Sequence, residues 1–437
     1  MSGADRTWPG TSWYQDEAGK RWSDAGPIAD GSQCDVAIIG GGLAGISTAV
    51  SLLERGMTSV RVLEADEPGA GASGRNGGFV FAGYSLGNDK LFSQLGAERA
   101  GLLHGWTRES VRLVRERISR YKIDCQVNDA GVALADWFGD DDRLRQFQHR
   151  MQEQLGFRLD FLDRDSLARQ VNSRRYGAGL IEPDSFHFHP LRHIRGLVDH
   201  LARHGVAVHG QSPVRQIRRD VRHDDQGWLI SCPTGTLRAR EVILTTGGYD
   251  RRLWPALQRA LQPISTYIAV TEPLGERISH LIPGDVAVYD TRFAFDYFRP
   301  LPDQRLLWGG RISIANRSPQ AIRKLLARDL ARVFPSLDGV AFKQAWGGWM
   351  SYARHEMPLL GRTPEGLWHG LAFGGHGMAT TTLAGEVLAE ALFGNADRLN
   401  AFGRWAPDWA GGWLGRGAVQ SKYWWLQAKD ALRDRFG

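Results

Sequence analysis

The chain has 437 residues, 54 Lys and Arg against 48 Asp and Glu for a net charge of +6, and 42% apolar residues. This is a globular composition of two or three domains' length, which excludes a disordered or collagen-like chain. With no Lys/Arg block there is no nucleic-acid stripe, and three scattered cysteines (Cys34, Cys125, Cys232) without a CxxC exclude a disulfide scaffold or Cys-based zinc site.

Residues 1–33 are rich in Gly, Asp, Trp and Pro and lack periodicity. They read as an irregular arm, without the apolar segment of a signal peptide. Asp35–Gly40 is a short β-branched run and reads as a buried strand. Leu43–Arg55 has helical spacing in Ile46, Ala49, Val50 and Leu53, and Gly56 ends it. Val60–Ala65 is a second strand, closing a βαβ unit. The uncharged stretch Val36–Leu53 has the length of a membrane span, but glycines at 40, 41, 42 and 45 make it a strand–turn–helix instead.

Further on, 91–122, 140–156, 192–204 and 318–334 read as helices. Val127–Leu134, Val206–Val208, Val214–Ile217 and Phe342–Trp346 read as strands. Trp228–Cys232 and Thr236–Arg240 resemble a hairpin, and Glu241–Thr246 a separate buried strand. Residues 264–272, 286–299 and 305–314 alternate apolar and polar residues, predicting an antiparallel sheet distinct from the parallel one. Gly366–Gly374 is strand-like, and a helix follows from Ala379 to Phe393. The tail from residue 400 carries Trp405, Trp409, Trp413, Trp424 and Trp425. It is expected to pack on the substrate domain as a lid, the alternative being a partner surface.

Gly40-Gly41-Gly42-Leu43-Ala44-Gly45 fits GxGxxG in its proper setting. Gly40 permits the turn, Gly42 the approach of a pyrophosphate, and Gly45 close helix–strand packing. The N–H groups of the helix start, around Leu43 and Ala44, then face the phosphates. Glu64, followed by Ala65, ends the second strand where a carboxylate accepts ribose hydroxyls, which argues against NADP and leaves FAD or NAD. Three more small-residue segments exceed what an NAD domain needs: 69–78, Thr245-Thr246-Gly247-Gly248, and Gly374-Gly375-His376-Gly377-Met378-Ala379-Thr380. The last precedes a helix whose N-terminus can stabilise negative charge on a reduced flavin. His187, His189 and His193 have a tempting spacing, but Pro190 interrupts them at a strand–helix junction, and no metal site is expected.

DVAIIGGGLAGISTAVSLLERG (35–56), VLEAD (62–66), GASGRNGG (71–78), VILTTGGY (242–249) and PLLGRTPEGLWHGLAFGGHGMATTTLAGEVLAEAL (358–392) occur in this order. Together they resemble the FAD-dependent D-amino-acid-oxidase-like superfamily, in particular its branch of gamma-glutamylputrescine oxidases. The resemblance implies an α/β chain of p-hydroxybenzoate-hydroxylase-like fold. A Rossmann-like FAD-binding domain (34–90, 170–260 and 350–398) carries an inserted, mostly antiparallel substrate domain (91–169 and 261–349). An arm (1–33) and an aromatic tail (399–437) flank them. It implies that Gly40, Gly42, Gly45 and Glu64 hold the ADP part. Ala72, Ser73, Arg75, Asn76, Gly77 and Gly78 would line the flavin and ribityl chain, and Val214 would meet the adenine. Thr246 and Gly247 would lie near the cofactor, and Gly375, His376, Gly377 and Met378 through Thr380 at the pyrimidine side of the ring.

The implied reaction is oxidation of an amine or amino-acid C–N bond, by hydride transfer to flavin N5 and hydrolysis of the imine. Phe295, Tyr297 and Arg299 alternate and so share a face of the inserted sheet. Tyr297, Arg299 and His376 form the candidate catalytic set. Arg311, Trp308 and Trp349 are the candidate substrate contacts, with Arg299 or Arg311 suited to pair with a carboxylate. Trp346 and Tyr352 are further wall candidates, with ordinary core as the alternative. No Cys occurs in 349–352, so the FAD is expected to be non-covalent. The Lys of sarcosine-oxidase-like members is absent from Leu306-Leu307-Trp308, which leaves oxygen and an electron carrier such as a quinone open as acceptor. A non-catalytic flavin-binding role is the remaining alternative. The partners expected are a small amine and that acceptor, with no nucleic acid and no transmembrane segment, in a cytoplasmic setting, the oligomeric state being open.

Overall fold

The structure, a computed structural model, describes residues 11–19, 22–220, 227–249 and 253–436. Two eight-stranded sheets face each other across a cleft. The first runs in the order Leu359–Arg362, Trp368–Leu371, Gly235–Leu244, Ser32–Ile39, Val60–Leu63, Ala207–His209. It is parallel apart from the Leu359–Arg362 edge and a hairpin of Gln216–Arg219 and Trp228–Cys232 hung on Gly235–Leu244. The segments Val36–Ile39 and Val242–Leu244 at its centre are apolar and buried, because helices cover one face and a second apolar layer the other. The segments expected as 236–240 and 241–246 are one continuous strand, Gly235–Leu244, whose first half pairs with Trp228–Cys232 on one side, while from Leu237 to Leu244 it pairs in parallel with Ser32–Ile39 on the other.

The second sheet runs Phe342–Tyr352, Gln262–Thr271, Leu306–Ser313, Asp296–Pro300, Ala287–Asp290, Val132–Ala135, Gly179–Glu182, Asp160–Leu162. Only the contact between Ala287–Asp290 and Val132–Ala135 is parallel. The expected strand 286–299 is broken at residues 291–295, where Asp290 accepts from the N–H groups of Arg292 and Asp296. One face of this sheet packs on the helix Pro319–Val333. Trp308 lies there, wholly buried and stacked on Phe298 at 4.7 Å and 2°.

Two expected boundaries shift. The helix Asn88–Tyr121, assigned to the substrate domain, packs in the core of the cofactor half, where Arg117 joins Ser51, Glu54 and Glu386 at 2.5–3.0 Å. Conversely, Gly179–Glu182, assigned to the cofactor half, is a strand of the second sheet. The tail contains a long helix, Gly412–Phe436. It packs on the substrate half through Tyr423 and Gln420, which accept from Ile312 and Ile314 N at 3.2 and 3.1 Å. Of the five tail tryptophans only Trp405 is buried; Trp409, Trp413, Trp424 and Trp425 stand in solvent. No helix among the described residues is long and apolar enough to cross a membrane.

Truncating Trp308 to Ala opens a hole against Phe298 and Phe334. We expect Trp308→Ala to cost about 3–5 kcal/mol in denaturant unfolding.

Candidate active site

The cleft between the sheets has a volume of about 1950 Å³. Its floor begins where the strand Ser32–Ile39 turns into the helix Leu43–Glu54. Gly40 has φ +114°, and a Cβ on Gly45 would lie 2.0 Å from Gly40 O. Any side chain at 45 would push the helix off the strand and misplace its free N–H groups. Gly42 faces the loop 69–78, a Cβ there lying 2.9 Å from Ser73 Oγ. The same Oγ accepts from Leu43 N at 2.9 Å.

Glu64 does more than the spacing predicts. Its carboxylate accepts from Gly41 N at 2.6 Å and Asp66 N at 3.0 Å, so it braces the glycine turn. Burial pushes its pKa up, against the pull of those N–H groups. It still lines the cleft beside Ala65.

The loop 69–78 is folded by Asn76. Its amide donates to Ala72 O and Ser73 O at 3.1 and 2.7 Å, and its Oδ1 accepts from Gly78 N at 2.8 Å. Arg75 reaches across to the second sheet and donates to Gly347 O at 3.1 Å, while Trp346 Nε1 donates to Arg75 O at 2.9 Å. Burial lowers the Arg75 pKa to about 10.

The opposite wall comes from the helix Gly377–Leu392, whose N-cap is His376. The His376 ring packs edge-on to Phe81 at 5.1 Å, with Nδ1 3.4 Å from Ser85 Oγ. Desolvation takes its pKa down to about 4, so the ring is neutral at physiological pH. The helix N-terminus opens on the cleft, a place of positive potential.

Most of the expected cofactor contacts line this cleft: Gly40, Gly42, Leu43, Ala44, Glu64, Ala65, Ala72, Ser73, Arg75, Asn76, Gly77, Val214, Thr246, Gly247, Gly375, His376, Gly377 and Met378. Four do not. Gly45 and Gly78 are packing glycines, the latter against Phe188 O, where a Cβ would come to 2.0 Å. Ala379 and Thr380 point into the core, and Thr381 takes the place at the cleft.

The substrate candidates divide more sharply. Tyr297 and Trp349 line the cleft; Tyr297 packs edge-on to Phe79 at 5.7 Å, its hydroxyl meeting Thr266. Trp308 is on the far face of its strand and does not reach the cleft. Arg299 shares the face of Tyr297 but is sealed beneath the loop, donating to Gly77 O at 2.7 Å and Phe188 O at 2.9 Å. It is a buried clamp with no access for a carboxylate. Arg311 reaches the cleft, with its guanidinium held in a fork by the buried Asp329 (Nε to Oδ2 2.8 Å). The neighbouring Arg292 is likewise held by Asp290 and Asp296 at 2.6 and 2.5 Å. Trp346 packs with Tyr14 away from the cleft, whereas Tyr352 lines it.

Sequence reasoning missed Tyr249 and Tyr289, which also line the cleft. Burial raises the pKa of both, and of Tyr297 and Tyr352 (the last to about 12). All four phenols are therefore neutral. His189 is a helix cap, its Nδ1 accepting from Arg192 N at 3.1 Å, and His187 bonds Asp285 O at 3.1 Å. Neither converges with His193 on a metal, and the described residues hold no such cluster.

A dinucleotide carrying a flat ring fits this cleft. A helix N-terminus stands at the glycine turn, an acid stands at the ribose position, and small residues open the walls on both sides. No cysteine lines the cleft among the described residues.

The FAD dependent oxidoreductase family model (DAO) matches residues 35–391. Gamma-glutamylputrescine oxidoreductase of Escherichia coli (strain K12) is 32% identical over 90% of this chain and 91% of its own length. The probable oxidoreductase OrdL of Rhizobium meliloti is 29% identical over 98% of both chains. Among solved structures, glycine oxidase from Bacillus cereus superposes with a TM-score of 0.69 at 18% identity, covering 84% of this chain and 98% of its own. L-Amino acid deaminase from Proteus myxofaciens superposes at 0.70 with 17% identity, covering 91% and 98%. These two likenesses bear on the fold.

Placing a branched side chain at residue 42 crowds Ser73 and the phosphate approach. We expect Gly42→Val to retain FAD about 10- to 100-fold more weakly, by flavin absorbance after dialysis. In the unaltered protein, acid precipitation is expected to leave all flavin in the supernatant; a yellow pellet would show a covalent link.

Proposed function

Because the chain belongs to the DAO family of FAD-dependent oxidoreductases and so acts on amines or amino acids, we propose that it oxidises the C–N bond of an amine rather than of an α-amino acid. One observation carries the choice. Arg292 and Arg311, two of the guanidinium groups that line the cleft, are already neutralised by Asp290, Asp296 and Asp329. A carboxylate entering there would have to displace a buried acid, at a cost of several kcal/mol. A neutral amine has no such acid to displace, and Tyr249, Tyr289, Tyr297 and Trp349 offer it uncharged surface. The 32% identity to an oxidoreductase named for gamma-glutamylputrescine supports the same choice.

When bound, FAD would supply the two-electron acceptor for a hydride from the carbon bearing the amine, with hydrolysis of the imine by water and reoxidation by dioxygen to give hydrogen peroxide. The chain's own residues prepare the reactants. Tyr249, Tyr289, Tyr297 and Trp349 exclude water around the amine, and this dry surrounding lowers the amine's pKa towards the reactive neutral form. The N-terminus of the helix Gly377–Leu392 stabilises the negative charge that arrives beside it. His376 is neutral and orients the wall through Ser85 and Phe81. An electron carrier as acceptor is the second reading, favoured by the segment Leu306-Leu307-Trp308, which is fully buried and carries no lysine.

Anaerobic addition of a primary amine should bleach the flavin band, and air should restore it with one hydrogen peroxide per turnover. Restoration only by a quinone would move the assignment to a dehydrogenase, and a band that neither amines nor amino acids bleach would refute the reading. The rate of bleaching should rise with pH as the amine deprotonates. Since His376 is uncharged above pH about 4, His376→Asn should leave the shape of that profile unchanged; loss of an inflection near the ordinary histidine pKa would contradict this.

A further inference from the structure

The tail has an outer surface that the cleft does not use. Eleven large apolar side chains stand in solvent among the described residues, and six of them belong to the tail: Trp409, Trp413, Leu414, Trp424, Trp425 and Leu432. The four tryptophans are 62–80% exposed. Single apolar residues scattered over a surface need no account, whereas a gathered patch marks a site of interaction. Five of the six lie on the helix Gly412–Phe436, which is about 37 Å long at 1.5 Å per residue.

That helix has two faces of different chemistry. Gln420 and Tyr423 pack inward, and both acids of the helix turn the same way. Asp430 accepts from Phe293 N at 2.8 Å, and Asp434 from Trp137 Nε1 at 3.0 Å and Arg332 at 3.1 Å. On the outer side Leu414, Ala418, Ser421, Trp425, Ala428 and Leu432 recur at intervals of four and three, so they form one exposed row. Trp413 and Trp424 border the row on one flank, and Lys422 and Lys429 on the other. From residue 412 to 435 the exposed charged residues are Lys422, Lys429 and Arg435, all cations. Exposed Asp408 lies ahead of the helix, and Asp140 near its far end is taken by Arg433 at 2.8 Å. A second copy of the helix laid antiparallel on the row would set the lysine flank against itself; laid parallel, it would set lysine against Trp424. Neither supplies an acid, so self-pairing lacks the flanking ion pairs that such helices use. Phosphate headgroups supply the missing charge. Indole rings suit the boundary between headgroups and acyl chains, and lysine stems reach back to the phosphates.

We propose that the outer face of the helix Gly412–Phe436 is a docking surface for an anionic lipid bilayer. The helix lies in the plane of the headgroups, with Leu414, Trp425 and Leu432 towards the acyl chains and Lys422 and Lys429 at the phosphates. It rests on the membrane and does not cross it, in keeping with its modest hydropathy. The inference is independent of the amine-oxidising reading. On its inner side the same helix lines the cleft through Val419, Tyr423 and Leu426. Docking therefore holds the cleft about one helix diameter, roughly 10 Å, from the lipid.

The test is flotation of the full-length holoenzyme with lipid vesicles at low salt. It should float with vesicles of mixed phosphatidylglycerol and phosphatidylcholine, about tenfold more weakly with phosphatidylcholine alone, and less on either as salt rises. Trp424→Gln combined with Trp425→Gln should weaken flotation at least about tenfold. Flavin content and the unfolding midpoint should not change, because both side chains stand in solvent. Lys429→Gln should weaken binding about fivefold on the anionic vesicles and leave phosphatidylcholine binding unaltered. Leu102→Gln, at an exposed apolar residue of the helix Asn88–Tyr121, should change nothing. A holoenzyme that floats with neither vesicle would overturn the proposal. So would undiminished flotation of the folded tryptophan variant, or an equal loss in Leu102→Gln. A dimer in sedimentation that the tryptophan variant splits, without vesicle binding, would assign the face to a second copy of the chain and overturn the lipid surface.

Discussion

A buried guanidinium ties the two halves together. Arg299 rises from the second sheet and donates to Gly77 O and Phe188 O, with Tyr14 OH at 3.3 Å and His187 Nδ1 at 3.5 Å. No carboxylate is among these partners; the charge is spread over carbonyls, a phenol and a ring nitrogen. His187 is held neutral, its pKa lowered to about 3 by burial and by this very cation, so its lone pair stays available. The cleft depends on this clamp, because it fixes the loop 69–78 against the sheet that roofs it. The requirement for small residues at 77 and 78 follows, since a Cβ on Gly78 would lie 3.2 Å from the guanidinium and 2.0 Å from Phe188 O.

The charge pattern of the cleft is consistent from end to end. Positive potential is concentrated where backbone N–H groups open on the glycine turn and at the start of the helix Gly377–Leu392. Elsewhere in the cleft Arg292 and Arg311 are paired with buried acids, and the phenols of Tyr289 and Tyr297 are neutral.

How much of this was legible in the sequence depends on whether backbone or side-chain placement decides. The glycine fingerprint and the loop 69–78 were readable, because the backbone there admits only small residues and the spacing records it. Strand alternation put Tyr297 and Arg299 on one face, as found. It could not show that the loop covers residue 299 and leaves 297 open. Trp308 was misplaced because a sheet packed on both faces needs large apolar residues on each, so type does not reveal side. Tyr249 and Tyr289 sit on segments distant in sequence and converge only through the fold.

The parallel sheet carries a consequence for how the chain matures. The central strand Ser32–Ile39 pairs on one side with Val60–Leu63 close by, but on the other with Gly235–Leu244, roughly two hundred residues later. Synthesis therefore delivers the glycine turn early and its second flank late. Until the Thr245 backbone arrives to bond Ile39 O, at 2.9 Å in the finished fold, the phosphate cradle is half built. FAD, binding the closed sheet and not the open chain, adds its binding free energy to the stability of the closed form.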